Sequence, residues 1–380
     1  MIAITNRRLR MGMIGGGPGS FIGPVHRIAA ELDREIELVA GAFSSDAARS
    51  RAAGDSYRID PARAYADLAT MLAAERARDD GIDFVAIVSP NHHHLPAARA
   101  ALEAGLPVIS DKPMTATLGE AHDLAAIIAR IGLPYALTYT YSGYPLVREA
   151  RARILAGALG TIRKVVVEYP QGWLAGEAVG KQAEWRVDPA RAGEGGCIAD
   201  IGVHAFQLAE FVTGLHVTDI MADLGAVVPG RLLDDDCTVL LRLDNGTAQG
   251  ARGVLLASQI EIGEMNGLRI RVYGERGGLV WQQETPNTLT LHTPDGRTEI
   301  IHAGGPQLGL DASSRTRTPA GHPEGYFEAF ANIYRDFAAC LRGEPAPLLP
   351  GIAQGLRGMT FIATAVAASR TRAGWVALGA

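Results

Sequence analysis

Short apolar runs alternate with amphipathic stretches through the first 138 residues. The runs are almost continuous in apolar side chains, as expected of strands buried on both faces of a parallel sheet. They lie at 9–14, 36–43, 83–89, 107–110 and 134–138. Between them, helical spacing predicts one helix that ends near residue 32 and others at 64–77, 95–104 and 118–131. This alternation predicts a doubly wound α/β domain over residues 1–138.

The pattern changes after residue 138. Several segments alternate apolar and polar residues as strands do, with turn signals such as Asp244-Asn245-Gly246 between them. Strands are predicted at 162–169, 217–224, 237–243, 247–256 and 268–272, and helices at 146–156, 200–213, 326–341 and 353–369. We therefore predict a second domain over 139–380, an open, mostly antiparallel sheet flanked by helices, whose final helix packs back on the first domain. One face of so wide a sheet needs a cover, so we expect self-association through it.

Composition narrows the class of protein. The 380 residues carry a net charge of -5 and no concentrated basic stretch, which argues against nucleic acid as a partner. No apolar run approaches the length of a membrane span, so we expect no membrane partner either. The three cysteines are scattered and include no C-x-x-C pair, which favours a reducing compartment, here the cytoplasm, over a disulfide framework or a zinc site.

A glycine-rich loop follows the first predicted strand and precedes the first helix. This is the context that a dinucleotide fingerprint requires, because glycines let the backbone approach a pyrophosphate at a helix N-terminus. The spacing departs from G-x-G-x-x-G, since the next glycine in frame after Gly17 is Gly23. Either the loop bulges or Gly19 takes the third role. The predicted cofactor contacts here are Gly15, Gly17, Gly19, Phe21 and Ile22.

The end of the second strand bears on the choice of dinucleotide. An acidic residue there would bind the ribose 2′-hydroxyl of NAD, but Phe43 occupies the position and Ser44 follows it. Nearby hydroxyls with Arg49 or Arg51 would suit the 2′-phosphate of NADP, whereas Asp46 would serve NAD if the turn is displaced. The cofactor is therefore NAD or NADP, with NAD the first choice.

Two further strand ends carry candidate residues, because ligands of open parallel sheets lie at the carboxyl edge. The third strand leads into Ser89, Pro90, Asn91 and His94, all predicted at the cofactor. Three adjacent histidines, 92–94, do not have the wider spacing of zinc ligands, so no metal is predicted. The fourth strand delivers Lys112 toward the nicotinamide; the alternative is a surface ion pair with Asp111, which would be worth little.

The stretch from Gly195 to Phe206 carries the candidate acid–base chemistry. Two glycines precede Asp200, and apolar residues recur behind it at the spacing of one buried helix face. Asp200 and His204 are four residues apart, so on a helix they project from one side and form a plausible proton-transfer pair. The alternative is a helix-start aspartate beside a satisfied, half-buried histidine.

Substrate-binding candidates flank this stretch. Tyr141 and Tyr144 offer hydroxyls and flat faces to a sugar-like ligand, although an aromatic hinge cluster would explain them equally well. Trp185 and Arg186 lie just upstream of the glycine pair, where Arg186 would hold substrate hydroxyls or lock the loop. A later loop is expected to carry His322 into the cleft.

Together these motifs resemble the Gfo/Idh/MocA family (glucose–fructose oxidoreductase, inositol dehydrogenase and rhizopine catabolism). The resemblance rests on Met13-Ile14-Gly15-Gly16-Gly17, Val88-Ser89-Pro90-Asn91 with His94, Asp111-Lys112-Pro113, Trp185-Arg186, and Gly195-Gly196 through Asp200 to His204. It implies that Lys112 is the family's E-K-P lysine, that Asp200 and His204 are its D-x-x-x-H pair, and that the protein is a homodimer or homotetramer. The lengthened glycine loop and Phe43 depart from the family pattern, and both bear on cofactor binding.

The resulting hypothesis is an NAD(P)-dependent oxidoreductase. It transfers hydride between nicotinamide C4 and a carbinol carbon of a sugar, a sugar derivative or an inositol-like cyclic polyol. His204 acts as general base, Lys112 stabilises the charge on the reacting oxygen, and Asp200 orients the substrate. Two alternatives stay open: a glycosidase- or epimerase-type enzyme that uses tightly bound NAD for transient oxidation, and a non-catalytic sensor of dinucleotide or sugar.

Overall fold

The first half of the chain folds around a parallel sheet. The computed structural model describes residues 7–177 and 179–379. Within the first of these ranges, five strands lie in the order β2-β1-β3-β4-β5, all parallel. They are β1 (Leu9–Gly15), β2 (Ile36–Ala42), β3 (Phe84–Val88), β4 (Val108–Ser110) and β5 (Tyr135–Leu137). The helices between them are α1 (Ile22–Glu31), α2 (Ala47–Tyr57), α3 (Leu68–Arg76), α4 (His94–Glu103) and α5 (Leu118–Ile131). The predicted doubly wound domain is confirmed.

Helix α2 has no counterpart in the sequence prediction, and α3 is shorter than the predicted 64–77. The α2 segment mixes alanine, arginine, serine and glycine with little amphipathic contrast. It is helical because the Asp46 carboxylate accepts the N–H of Arg49 at its start and Tyr57 buries its ring at its end. The predicted range began too early, because residues 64–67 link a 3₁₀ turn, Pro61–Arg63, to α3, whose start is capped by Asp67 accepting the N–H of Thr70.

The second half is built on an open, mostly antiparallel sheet, as predicted. In the part of the chain that the structure describes, nine strands lie in the order β13-β12-β11-β10-β6-β9-β8-β7-β14, and only β6 and β9 pair in parallel. They are β6 (Ile162–Pro170), β7 (His216–Gly225), β8 (Asp236–Asp244), β9 (Ala251–Ser258), β10 (Arg269–Gly274), β11 (Gly278–Gln282), β12 (Thr288–His292), β13 (Thr298–His302) and β14 (Val376–Ala377). The prediction lacked β11 to β14, and it started β9 at 247, where the chain is still in a loop.

Helices cover one face of the second sheet. The helices of the second half are α6 (Pro145–Leu155), α7 (Lys181–Glu184), α8 (Pro189–Ala192), α9 (Val203–Thr213), α10 (Leu310–Ser313), α11 (Tyr326–Leu341) and α12 (Ile352–Thr371). Alternate strand residues such as Val165, Val239 and Leu255 point under α6, α9 and α12 and are fully buried. The residues between them stay partly exposed on the opposite face.

The two late helices return to the first half. Helix α11 packs on α1 and on the parallel sheet, where the Phe337 ring meets Phe84 at 5.2 Å and Tyr334 hydrogen-bonds buried His26. Helix α12 packs between α5 and β7. The chain just before α12 joins the edge of the parallel sheet, because Leu137 N–H donates to the carbonyl of Pro350 over 2.9 Å. Within the described ranges, no helix is both long enough and apolar enough to cross a bilayer.

Candidate active site

Lys112 lies two residues beyond the carboxyl end of β4 and reaches into the second half of the chain. Its Nζ donates to the backbone carbonyl of Asp200 at 2.5 Å and to Asp200 Oδ1 at 3.2 Å. Asp111 instead accepts the Lys112 N–H and the Thr138 hydroxyl. The lysine is only 13% exposed, so this ion pair is partly desolvated, unlike the surface pair with Asp111 considered above. The Lys112–Pro113 peptide is cis.

The segment that carries Asp200 is a π turn, Ile198–Gly202, and the regular helix α9 begins only at Val203. The sequence predicted one continuous α-helix from residue 200. The Val203 N–H donates to Ile198 O, a five-residue step wider than that of an α-helix. The carbonyl of Asp200 accepts from Lys112 Nζ, so the π turn presents both a carbonyl and a carboxylate to the lysine.

Asp234 fixes the start of this turn. Its carboxylate accepts the N–H groups of Gly196 and Ile198, both over 2.7 Å, and its carbonyl accepts the N–H of Cys197. A side chain at Gly196 would collide with that carbonyl, because a Cβ there would lie 2.2 Å from it. Sequence reasoning missed Asp234; the only signal was a run of three aspartates, 234–236, between two strands.

Asp200 is held as a partly buried carboxylate, with its side chain 15% exposed. Arg186 Nε and Gln259 Nε2 donate to its Oδ2 at 3.0 Å and 2.9 Å, while Lys112 takes Oδ1. Burial opposes ionisation, but the charges of Arg186 and Lys112 outweigh it and hold the pKa of Asp200 well below its ordinary value. Arg186 was predicted at this site and Gln259 was not. The site therefore keeps a fixed negative charge between two cations.

His204 faces this group from the first turn of α9. Its ring is 8% exposed and meets the Tyr141 ring edge-on at 4.9 Å and the Tyr139 ring at 5.9 Å. Burial and, next, the positive charge of Lys112 hold the pKa of His204 well below its usual value. Nδ1 is enclosed and has no hydrogen-bond partner among the described residues. The imidazole is therefore neutral at pH 7, the form that can accept a proton.

A hydrogen-bonded tyrosine cluster lines the wall beside His204. The hydroxyls of Tyr141 and Tyr169 contact each other, Tyr169 donates to Asn266 Oδ1 at 2.7 Å, and Asn266 Nδ2 donates back to Tyr141 at 3.3 Å. Tyr144 stacks on Tyr141 with ring centroids 6.3 Å apart, and its hydroxyl accepts from Gln283. The sequence singled out the two tyrosines of the 139–145 stretch but not Tyr169 or Asn266, which come from β6 and a distant loop.

A cavity of 730 Å³ opens next to this cluster, between Tyr144 and Tyr326. The Tyr326 ring also lies 6.5 Å from the Tyr141 ring, so one aromatic wall joins the cavity to the surroundings of His204. His322, expected in the cleft, does not line this cavity. It is exposed, its Nδ1 lies 3.3 Å from the carbonyl of Pro319, and its described contacts include none to the groups around Asp200.

The structure shows how the glycine loop is lengthened. Gly15, Gly16 and Gly19 have positive φ angles of 85°, 76° and 78°, and α1 begins at Ile22. A Cβ at Gly23 would lie 2.4 Å from Gly16 Cα, so Gly23 allows the helix to pack closely on the loop. Gly23 therefore takes the third fingerprint role, and Gly19 is a turn residue of a lengthened loop.

The residues present fit a dinucleotide pyrophosphate at this loop. A Cβ at Gly17 would lie 2.5 Å from the carbonyl of Phe43, so the loop leaves no room for side chains where it passes β2. Phe21, the residue before α1, is exposed and supplies no side-chain cap, while Ser20 Oγ accepts the N–H of Gly23 in the first turn at 3.2 Å. Phe43 itself is buried against Tyr57, and Asp46 is engaged as the cap of α2. Ser44 is partly exposed at this edge, and its Oγ accepts the N–H of Asp46.

The loop after β3 connects the two halves. Asn91 Nδ2 donates to the carbonyl of Ala192 at 2.8 Å. The His94 ring is buried between the carbonyls of Ser89 and Pro113, at 2.9 Å and 2.8 Å, and burial lowers its pKa. His94 therefore braces the loop from Ser89 through Pro90 to Asn91 at the sheet edge. Among the described residues, no group of three or more histidine, cysteine or acidic side chains is placed to hold a metal ion.

This arrangement of a glycine loop, a parallel sheet and a lysine–aspartate–histidine group at its carboxyl edge defines a two-domain, dinucleotide-binding oxidoreductase. The chain belongs to the Gfo/Idh/MocA family. Residues 9–139 match the oxidoreductase family's NAD-binding Rossmann fold, and residues 147–280 match a Gfo/Idh/MocA C-terminal domain. The predicted family is confirmed.

Known proteins resemble the chain over almost its whole length. It is 34% identical over 387 aligned residues to the uncharacterized oxidoreductase YfiI of Bacillus subtilis, with 98% of each chain covered. An oxidoreductase structure from Sinorhizobium meliloti shares 41% identity at a TM-score of 0.89, covering 98% of this chain and 100% of that one. An inositol dehydrogenase homologue from Azotobacter vinelandii, complexed with NADH and myo-inositol, shares 34% identity at a TM-score of 0.91, with 98% of each chain covered.

Proposed function

We propose that this protein is an NAD(P)-dependent dehydrogenase of a sugar, a sugar derivative or a cyclic polyol. The observation that carries the proposal is the meeting of Lys112, Asp200 and His204 at the carboxyl edge of the dinucleotide-binding sheet. When bound, the cofactor supplies a nicotinamide that accepts or gives a hydride. NAD is the first choice, because the inositol dehydrogenase homologue was crystallised with NADH.

Each residue has a defined task at the reacting alcohol. Neutral His204 accepts the hydroxyl proton as the carbon loses its hydride, and it returns that proton in the reverse direction. Lys112 gives two of its three N–H donors to Asp200, which leaves one for the reacting oxygen. Its positive charge stabilises the charge that develops on that oxygen. Asp200, held by Arg186 and Gln259, keeps the lysine in place.

The aromatic and amide wall suits a polyhydroxylated substrate. Tyr141, Tyr169 and Asn266 present hydroxyl and amide groups in a fixed network, and the faces of Tyr144 and Tyr326 suit the apolar face of a sugar ring. Myo-inositol in the Azotobacter relative is a substrate-sized molecule of this chemistry, which supports including cyclic polyols.

The test is a substrate panel with purified protein. NAD and, separately, NADP would be mixed with inositols, aldoses, anhydrosugars and glycosides while absorbance of the reduced nicotinamide is followed. We expect reduced cofactor to accumulate with one class of alcohol and one dinucleotide. A flat trace across the panel would contradict the proposal. If dinucleotide then stays bound to the protein and a glycoside is still consumed, the protein is an enzyme that uses NAD for transient oxidation. If nothing is consumed, it is a non-catalytic sensor.

A further inference from the structure

A segment of the second half lies across the edge of the parallel sheet. We call residues 180–196 the strap; it follows β6 in the chain and leads into the π turn of Asp200. Gln182 Nε2 donates to the carbonyl of Gly19 at 3.0 Å, and the carbonyl of Ala192 accepts from Asn91. Gly193 presses on the chain after β4, since a Cβ there would lie 2.3 Å from the carbonyl of Ala116. The strap thus touches the loops after three adjacent strands, β1, β3 and β4.

Those three loops border the crevice in which doubly wound folds hold a dinucleotide. The strap therefore spans the crevice, and a dinucleotide in it would lie under the strap. A loop that spans a ligand site has to change its contacts when the ligand enters or leaves.

Gln182 joins this crossing to the catalytic group. Its backbone carbonyl and its Oε1 both accept from Arg186 Nη1, at 2.8 Å and 3.0 Å. Arg186 in turn donates to Asp200 Oδ2, and its guanidinium lies over the Trp185 ring at 4.4 Å. A continuous series of hydrogen bonds therefore runs from the carbonyl of Gly19 in the glycine loop through Gln182 and Arg186 to the carboxylate that holds Lys112.

We propose that Gln182 is a positioning residue that couples dinucleotide binding at the glycine loop to the placement of Arg186 and Asp200. The proposal rests on the proposed function, because it takes a dinucleotide as the ligand. A glutamine is required because one amide uses its donor on Gly19 and its acceptor on Arg186. Coupling is reciprocal, so an ordered substrate site also holds the dinucleotide more tightly.

Substitutions at Gln182 separate its two contacts. Gln182→Glu keeps an acceptor for Arg186 and loses the donor to Gly19, whereas Gln182→Met is similar in length and loses both side-chain contacts. The matched control is Gln249→Met, since Gln249 is exposed on the loop between β8 and β9. All four proteins would be studied with NAD⁺ alone, so that no substrate is needed.

The measurement is hydrogen–deuterium exchange of two peptides, one over residues 15–23 and one over the strap. In wild type and Gln249→Met we expect NAD⁺ to slow exchange in both. In Gln182→Glu and Gln182→Met, NAD⁺ should protect only the glycine loop. Without NAD⁺, the strap of Gln182→Met alone should exchange faster than wild type. NADH affinity, followed by fluorescence, should weaken roughly twofold to tenfold in both variants, as for one lost hydrogen bond.

The outcomes separate coupling from simple support of the strap. If NAD⁺ slows exchange in the strap of Gln182→Glu as much as in the strap of wild type, Gln182 does not couple the two sites and the proposal is overturned. A wild type that gains protection in the glycine loop but not in the strap also overturns it, while dinucleotide binding stands. If NAD⁺ and NADP⁺ protect neither peptide of the wild type, dinucleotide binding itself fails and the coupling fails with it.

Discussion

At the scale of single residues, Asp200 organises the charges of the candidate site. Its two carboxylate oxygens and its carbonyl accept hydrogen bonds from Lys112, Arg186 and Gln259. This leaves Lys112 partly desolvated but paired, close to the neutral imidazole of His204. A charge fixed in advance in a partly buried site needs little reorganisation when charge develops on a substrate.

Lys112→Ala should lower kcat about a hundredfold or more, because it removes the positive charge and the donor at the reacting oxygen. Dinucleotide affinity should change little, since the glycine loop does not depend on this side chain. Steady-state kinetics and NADH fluorescence titration measure the two effects. Arg370→Ala, at an exposed position near the end of α12, is the control and should behave as wild type. Wild-type turnover by Lys112→Ala would show that the lysine is not part of the chemistry.

The acid limb of kcat/KM should reflect His204. Because the folded-state pKa of His204 lies well below the usual 6.5, the ring stays neutral as pH falls from 8 to 6.5 and is protonated only at lower pH. Activity should therefore be lost on the acid side well below pH 6.5. His204→Asn should abolish that limb together with roughly 99% or more of the rate. His302→Asn, at an exposed position on β13, should retain the wild-type profile; an unchanged acid limb in His204→Asn would assign the base to another residue.

At the scale of elements, the contact between α1 and the glycine loop decides how near the backbone can come to a pyrophosphate. Gly23 touches Gly16 directly, so any side chain there pushes the helix away from the loop. The hydroxyl of Tyr57 also donates to the carbonyl of Gly16, over 2.6 Å, which fixes the loop from α2.

Gly23→Ala should therefore weaken dinucleotide binding by about tenfold or more and lower the thermal midpoint by several degrees, as overpacking of a tight contact does. Gly119→Ala is the matched control, because Gly119 also lies in the first turn of a helix, α5, where a Cβ would meet nothing within 4 Å. It should leave binding unchanged and stabilise the fold by about 0.4–1 kcal/mol. NADH titration and thermal melts provide the data, and equal behaviour of the two variants would contradict the packing argument.

The sequence predicted those helices and strands whose signal lies in their own consecutive residues. The apolar strands of the first half and the helices with clear apolar faces were found because burial on a fixed period is written into consecutive residues. Helix α2 was missed because its ends are set by Asp46 and Tyr57 rather than by an apolar face. The short strands β11 to β14 were missed because pairing with neighbours, not their own composition, defines them.

Some residues of the candidate site could likewise be predicted from local sequence, and others could not. Lys112 and His204 stand in motifs that can be recognised in isolation. Gln259, Asn266 and Asp234 reach the site only because the second sheet brings their loops to it, and no local spacing marks them. The π turn could not be predicted from the sequence either, because it depends on the hydrogen bond that Asp234 accepts from the start of the turn.

At the scale of the whole molecule, the uncovered face of the second sheet carries a mostly apolar central row between charged rows. Its central row follows the strand register and stays partly exposed throughout. The row runs through Thr290, Val280, Arg271, Val166, Val254, Leu240 and Met221. On one side, Lys164, Arg252 and Arg242 stand next to one another; on the other, Glu168 and Asp223 share a row with Arg269, which pairs with Glu168. A two-fold axis perpendicular to the strands would set the basic row of one copy on the row of the other that holds Glu168 and Asp223.

We therefore expect a homo-oligomer that uses this face. Leu240→Glu, in the central row, should shift the protein toward monomer in light-scattering chromatography, because it places an unpaired charge in an apolar contact. Leu155→Glu changes an equally apolar residue, 58% exposed at the end of α6, and should leave the mass unchanged. A wild type that is monomeric at micromolar concentration, or a Leu240→Glu variant of unchanged mass, would contradict this interface.

The return of α11 to the parallel sheet has a consequence for the newborn chain. Strand β5 is complete at Leu137, yet Phe330, Ile333 and Phe337, which cover the sheet beside α1, belong to a helix that begins at Tyr326. At roughly 5–20 residues per second, translation takes on the order of 10–40 s to deliver that helix. Throughout this interval one side of the nucleotide-binding unit exposes Phe84 and its apolar neighbours to water. A chain that ends before α11 therefore exposes a half-covered apolar sheet to chaperones and proteases, and the sheet is covered only in a chain that includes this helix.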